Sequence, residues 1–228
     1  IMATTALILM VYAIVSSESE GWGSVHTIGL LALSLALLFA FYFLQKQKSE
    51  PLMPLSIFKV PNLSAGNIVM ALLAAAWIPL WFFLNLYLQQ TLHYSAFNSG
   101  LALLPMTLAI MFLMVGVTGK LVAKFGFKSN MIVGLLVLAV SLILFSQAPT
   151  DGTFIANVLP ASLLGALGMS LTYIPGTVAS MSGAKPEETG LASGLVNTSY
   201  QIGSALGLAI IVAISAAKTN TLKMTGVT

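Results

Sequence analysis

Charged residues cut this chain into long stretches that carry none. No charge lies between Lys59 and Lys120, between Lys128 and Asp151, between Asp151 and Lys185, or between Glu188 and Lys218. A helix rising ~1.5 Å per residue needs about 20 apolar residues to cross a hydrocarbon core of roughly 30 Å. Each stretch is long enough for at least one crossing. Composition points the same way: 58% of the 228 residues are hydrophobic and 7% are charged, against about 25% charged in an ordinary soluble domain. So few charges cannot cover a water-facing surface, so lipid must cover most of it. Inside lipid every backbone polar group needs a partner within its own segment, which makes the segments helices. The expected fold is therefore an all-α polytopic membrane protein of about seven transmembrane helices, over 2–16, 25–45, 64–90, 98–119, 129–147, 153–176 and 189–217. The connections are short, so neighbouring helices run antiparallel.

The basic residues set the orientation. All are lysine, and the net charge of +3 is concentrated between apolar runs, a pattern of membrane topology and not of nucleic-acid binding. Lys46, Lys48, Lys59, Lys120, Lys124, Lys128 and Lys185 fall in one alternate set of loops. The other set has only Lys218 and Lys223, in the C-terminal tail. Positive loops stay in the cytoplasm, so the chain starts inside and its tail lies outside. Cysteine is absent, which excludes disulfides and thiolate metal sites. Ile1 opens within an apolar stretch that lacks a basic n-region and a cleavage site. A helix cut by the start of the sequence is expected there, not a signal peptide.

Three spaced motifs carry a family resemblance. Gly119-Lys120-Leu121-Val122-Ala123-Lys124-Phe125-Gly126-Phe127-Lys128 resembles the G-x-L-x-D-R-x-G-R-R/K loop of the major facilitator superfamily. Ala123 and Lys124 replace its Asp-Arg, so the gating salt bridge of that motif is not carried over. Tyr87-Leu88-Gln89-Gln90-Thr91-Leu92-His93-Tyr94-Ser95, with Gly100 to Pro105 after it, is similar to Y-L-Q-x-x-L-G-Y-S…G-L-A-x-L-P, with His93 in place of Gly. Gly190 to Thr198, followed by Gln201-Ile202-Gly203, is similar to G-L-A-S-G-L-x-N-T-x-R-Q-x-G, with Tyr200 in place of Arg. Both belong to the fourteen-helix drug–proton antiporters of the QacA/EmrB type. Pro51 to Phe58 also resembles the loop before the ninth helix of that family. The resemblance implies two extra central helices over 1–45, the first truncated, and a cytoplasmic loop over 46–63. A C-terminal transporter half-domain lacking its last helix follows over 64–217, then an extracellular segment over 218–228. The implied partners are the bilayer, the N-terminal half of the same transporter, a small amphipathic or cationic substrate, and protons. The implied location is a bacterial plasma membrane, as a multi-pass protein.

Polar residues inside the apolar runs are the candidates for a transport pathway. Asn197 and Gln201 lie four apart and share one helix face, either as packing groups or as a cavity wall. Asn197 falls about 8 residues into its helix, roughly 12 Å at ~1.5 Å per residue, which predicts a position near the bilayer midplane. Asn85, Gln89, Trp77, Asn157 and Tyr173 are further candidates, each with interhelical bonding as the alternative. The glycine pairs Gly190 and Gly194, and Gly203 and Gly207, have the spacing that lets helix backbones approach closely. Pro79, Pro105, Pro160 and Pro175 are expected to kink their helices. Ser99-Gly100-Leu101-Ala102 and Thr189-Gly190-Leu191-Ala192 echo one another three helices apart, the separation expected of an inverted repeat. A proton-coupled pump needs a titratable group within the membrane. The resemblance assigns such carboxylates mainly to the N-terminal half. No catalytic triad, metal cluster or phosphate loop is visible in the sequence, so neither an enzyme nor a bound cofactor is expected. The expected function is a proton-coupled multidrug exporter, present as a C-terminal fragment. The alternatives are a major facilitator carrier for another solute and a non-transporting membrane subunit or degenerate fragment.

Overall fold

The structure, a computed structural model, describes residues 2–47 and 55–224. Ile1, Lys48, the first four residues of the Pro51–Phe58 motif and residues 225–228 of the tail lie outside these. The described residues form helices and turns, with no strand among them. We name the helices α1 (Met2–Glu20), α2 (Val25–Gln47), α3 (Leu63–Leu86, extended by a π-turn at Tyr87–Thr91), α6 (Leu159–Met181, preceded by a π-turn at Phe154–Val158) and α7 (Thr189–Met224). Between α3 and α6, the helix Ala96–Phe112 runs through a π-turn at Leu113–Val117 into the helical stretch Thr118–Ser146. Gly126 breaks that stretch with φ 74° and ψ 170°, a conformation essentially reserved for glycine. We call the two parts α4 (96–125) and α5 (127–146).

Gly126 is where the chain turns back. Thr118 Oγ1 donates to Ser170 O at 3.4 Å, while a Cβ placed on Gly134 would lie 2.9 Å from both Gly168 O and Leu171 Cβ. Residues 118 and 134 thus flank the same stretch of α6, eight positions either side of Gly126. Asn130, 5% exposed, donates to Gly126 O at 2.6 Å and Leu121 O at 3.1 Å, satisfying carbonyls orphaned at the end of α4. The loop expected over 120–128 is thereby corrected: Lys120 and Lys124 lie on the last turns of α4. Lysine is a good helix former, and its long stem carries the ammonium to the headgroup level from within a helix.

The bundle is centred on α3 and α6. Half of α6 and 44% of α3 are buried over their most apolar windows, against 11% of α2. Many large apolar side chains are left exposed on α2, α4 and α5, a surface suited to lipid and not to water. Antiparallel α3 and α6 meet through Gly66 and Ser180, Met70 and Gly176, and Trp77 and Gly165. At the far end the Tyr87 hydroxyl donates to Pro149 O at 2.6 Å. Antiparallel α5 and α6 meet through Gly134 and Gly168, and Ser141 Oγ donates to Ala161 O at 2.7 Å. The hairpin of α1 and α2, tied by a 2.8 Å bond from Ser34 Oγ to Ala6 O, packs through α1 against α7. Helix α1 runs four residues beyond the expected 2–16, ending at a turn where Gly21 has φ 88°.

Helices α3 and α7 are parallel and locked in register. Ser199 Oγ donates to Asn67 Oδ1 at 2.7 Å. A Cβ on Gly203 would overlap the Ala71 carbonyl, and one on Gly207 would fall 2.6 Å from Ala75 O. Each pair is offset by 132 positions and is one helical turn beyond the last. Pro79, buried within α3, has no N–H to offer the Ala75 carbonyl one turn back. That carbonyl instead meets the bare backbone of Gly207.

Candidate functional site

The first turns of α7 carry an uncovered polar stripe. Gly190, Gly194, Asn197 and Gln201 are all exposed, and their spacings of four, three and four keep them on one helix face. A Cβ on Gly190 or Gly194 would meet nothing within 4 Å. The packing role expected of this glycine pair is therefore corrected among the described residues: it borders open space. The opposite face of the same turns is buried through Ala192 and Val196.

The depth expected for Asn197 is also corrected. The 132-residue offset sets Asn197 level with Ala65, two residues after the start of α3. Helix α7 starts well before α3 in that register, so counting from its own first residue overstates the depth. The stripe thus lies toward the lysine-bearing end, where Gly183 approaches Val60 and Pro61.

The other pathway candidates do not gather with Asn197 and Gln201. Asn85 and Gln89 are exposed and bonded to each other at 2.6 Å, about 30 Å up α3 from the level of Asn197 at ~1.5 Å per residue. Trp77 is buried, edge-on to Trp81 at 6.1 Å and stacked over Gly165. Asn157 accepts from Thr153 N at 2.9 Å, closing the first turn of the α6 segment. Pro160 lies in the first turn of α6, where its missing N–H costs least. Tyr173 does reach the stripe's edge: its ring meets Tyr200 of α7 at 5.5 Å and 88°.

A separate cavity of about 620 Å³ opens at the other end of the bundle. Pro79, Phe83, Tyr87, Phe145 and Ile211 are among its walls, and none of the seven candidates lines it. Sequence reasoning passed over this cavity and the Asn67–Ser199 bond. The signal for the bond was present in Asn67, Ala71 and Ala75, a small polar-to-apolar series at the same spacing as Ser199, Gly203 and Gly207.

A multi-pass helical membrane protein with an open polar face on one inner helix is the class these features define. Residues 1–208 match the Major Facilitator Superfamily, and the chain belongs to it. It is 32% identical over 218 residues to the tetracenomycin C resistance and export protein of Streptomyces glaucescens, covering 96% of this chain and 40% of that protein. It is 30% identical over 221 residues to the cephamycin export protein CmcT of Amycolatopsis lactamdurans, covering 96% of this chain and 46% of that one. Against the puromycin resistance protein pur8 of Streptomyces alboniger, identity is 29% over 215 residues, covering 93% and 42%. The chain thus spans less than half the length of these curated relatives.

Proposed function

We propose that this chain is the C-terminal portion of a proton-coupled exporter of small amphipathic drugs. Its uncovered stripe of Gly190, Gly194, Asn197 and Gln201 borders the transport pathway. The observation that carries this reading is the stripe itself. Gln201, one turn deeper than Asn197 in the same register, carries an amide on an apolar helix that no described helix covers, and such an amide is costly against lipid. A facing half with its own polar groups, or a wet cavity between halves, resolves that cost. The names of the relatives, which concern antibiotic resistance and export, favour a drug over another solute. On this reading 1–45 are two central helices, 46–63 a cytoplasmic loop, 64–217 the half-domain and 218–228 an external segment. The titratable proton site belongs to the other half.

The test uses the full-length transporter containing this chain, in inverted membrane vesicles. An imposed pH gradient, acid inside, is expected to drive uptake of an amphipathic drug, and collapsing the gradient is expected to abolish it. Uptake indifferent to the gradient would overturn proton coupling, and absence of drug uptake would overturn the exporter reading.

A further inference from the structure

We infer that the turn between α4 and α5 is a docking surface for an anionic phospholipid of the cytoplasmic leaflet, its headgroup drawn to Lys128 and Lys120 and an acyl chain lying along α5. The inference rests on the membrane placement of the chain and not on the exporter reading. Lys120, Lys124 and Lys128 are spaced four apart and all exposed. Between Lys59 and Asp151 they are the only charged residues. The one ion pair among the described residues, His26 with Glu20, joins the ends of α1 and α2, at the opposite membrane face. Lys185, by contrast, is followed by Glu187 and Glu188. Nor are the ammonium groups needed at the end of α4, because Asn130 already occupies the Leu121 and Gly126 carbonyls. The same two bonds tie the arms of the turn together, so Lys120 on α4 and Lys128 on α5 act on one patch of headgroups. Lys124 has an internal partner, with Nζ 5.1 Å from the centre of the Phe125 ring. Like charges four apart on a helix repel, and an anion placed among them removes that cost.

The surface beneath the charges makes the partner a lipid and not a free anion. Lys128, Ile132, Leu136 and Ile143 are separated by four, four and seven residues, which keeps them on one face of α5, and all four are exposed. From Lys128 to Leu136 this stripe runs roughly 12 Å at ~1.5 Å per residue, close to one leaflet of a core of roughly 30 Å. On α4, Phe112 and Val115 are 69% and 85% exposed, so both arms present apolar surface on the bilayer side of their lysines. A soluble anion uses the charges alone, whereas a phospholipid uses charge and stripe together. The cytoplasmic leaflet carries the negative surface potential that attracts juxtamembrane lysines, the complement this turn lacks within the described residues.

The test uses the full-length transporter, otherwise cysteine-free, in phosphatidylcholine bilayers. A bimane fluorophore is placed at Ser129→Cys, beside Lys128, or at Ile143→Cys, toward the far end of α5. The probes are phosphatidylglycerol and phosphatidylcholine, each with a quenching nitroxide on an acyl chain. At low salt, phosphatidylglycerol is expected to half-quench the reporter at 129 at about fivefold lower mole fraction than phosphatidylcholine, with no such preference at 143. Lys128→Gln is expected to bring the preference below about twofold, whereas Lys128→Arg keeps the charge and stays within about twofold of the wild type. Inorganic phosphate at about 10 mM, matched against chloride of equal ionic strength, is expected to leave the preference unchanged. Equal quenching by the two lipids at 129, or a Gln variant as selective as the wild type, would overturn the inference. An equal preference at 143 would reduce the effect to general enrichment of anionic lipid and overturn the site. Displacement by phosphate would make the ligand a soluble anion and overturn the lipid.

Discussion

Helix α7 carries two glycine pairs with identical spacing and opposite surroundings. Gly203 and Gly207 are closed against the backbone of Ala71 and Ala75, whereas Gly190 and Gly194 face empty space. Small residues four apart let backbones approach, but they do not supply the approaching backbone. The pair with a partner faces a second small series, Ala71 and Ala75, in the same register. The pair without one shares its face with two amides. The difference separates two uses of one spacing: the middle of α7 is where the described bundle is held together, and its first turns are where the bundle is left open.

The largest expected effect tests the closed pair. In Gly203→Val the new side chain would have to displace the Ala71 backbone, which cannot move as a flexible side chain would. Over-packing of this kind costs about 3 kcal/mol or more. Thermal unfolding in detergent is expected to shift down by several degrees, and membrane abundance is expected to fall. A variant as stable as the wild type would mean that α3 and α7 do not hold this register.

Next in size is Asn197→Leu in the full-length transporter. Efflux is expected to drop about tenfold, equivalent to about 1.4 kcal/mol, while membrane abundance stays nearly intact. Parallel loss of abundance and efflux would make the amide a packing group and close the open face. The smallest effect is expected from Gly194→Ala. Nothing lies within 4 Å of the added Cβ, and alanine gains up to about 1 kcal/mol over glycine within a helix. The unfolding midpoint is therefore expected to stay level or rise slightly. A marked fall would reveal a close partner for this face.

Helix number and order were legible because the uncharged runs and lysine-bearing loops come from the cost of charge in lipid, which each segment meets by itself. The turn at 120–128 was only partly legible. Its glycine is the turning residue, but the lysines that suggested a loop sit on a helix because their stems span the distance to the headgroups. His93 was readable as a departure from Gly. Its φ of 56° explains the motif, since the left-handed region suits glycine. The environment of each glycine pair and the depth of Asn197 were not legible. Both depend on the register between α3 and α7, set by Asn67, Ala71 and Ala75 some 132 positions earlier. Trp77 and Asn157 looked available because their partners Gly165 and Thr153 are small or backbone groups that stand out in no sequence pattern. The candidate site was legible as a pair of amides four apart. Its open state was not, because exposure depends on the helices that fail to cover it.

The constant offset between α3 and α7 also makes their contact a latch with a single seat. If α7 moved toward its C-terminal end by one turn, about 5.4 Å, Gly203 would face Ala75, but Leu195 would come onto Asn67. A step the other way would bring Ile211 onto Ala75, where even a Cβ on Gly207 finds no room. The small series Ser199, Gly203 and Gly207 is bounded by a large side chain at each end, so the seam resists sliding in both directions.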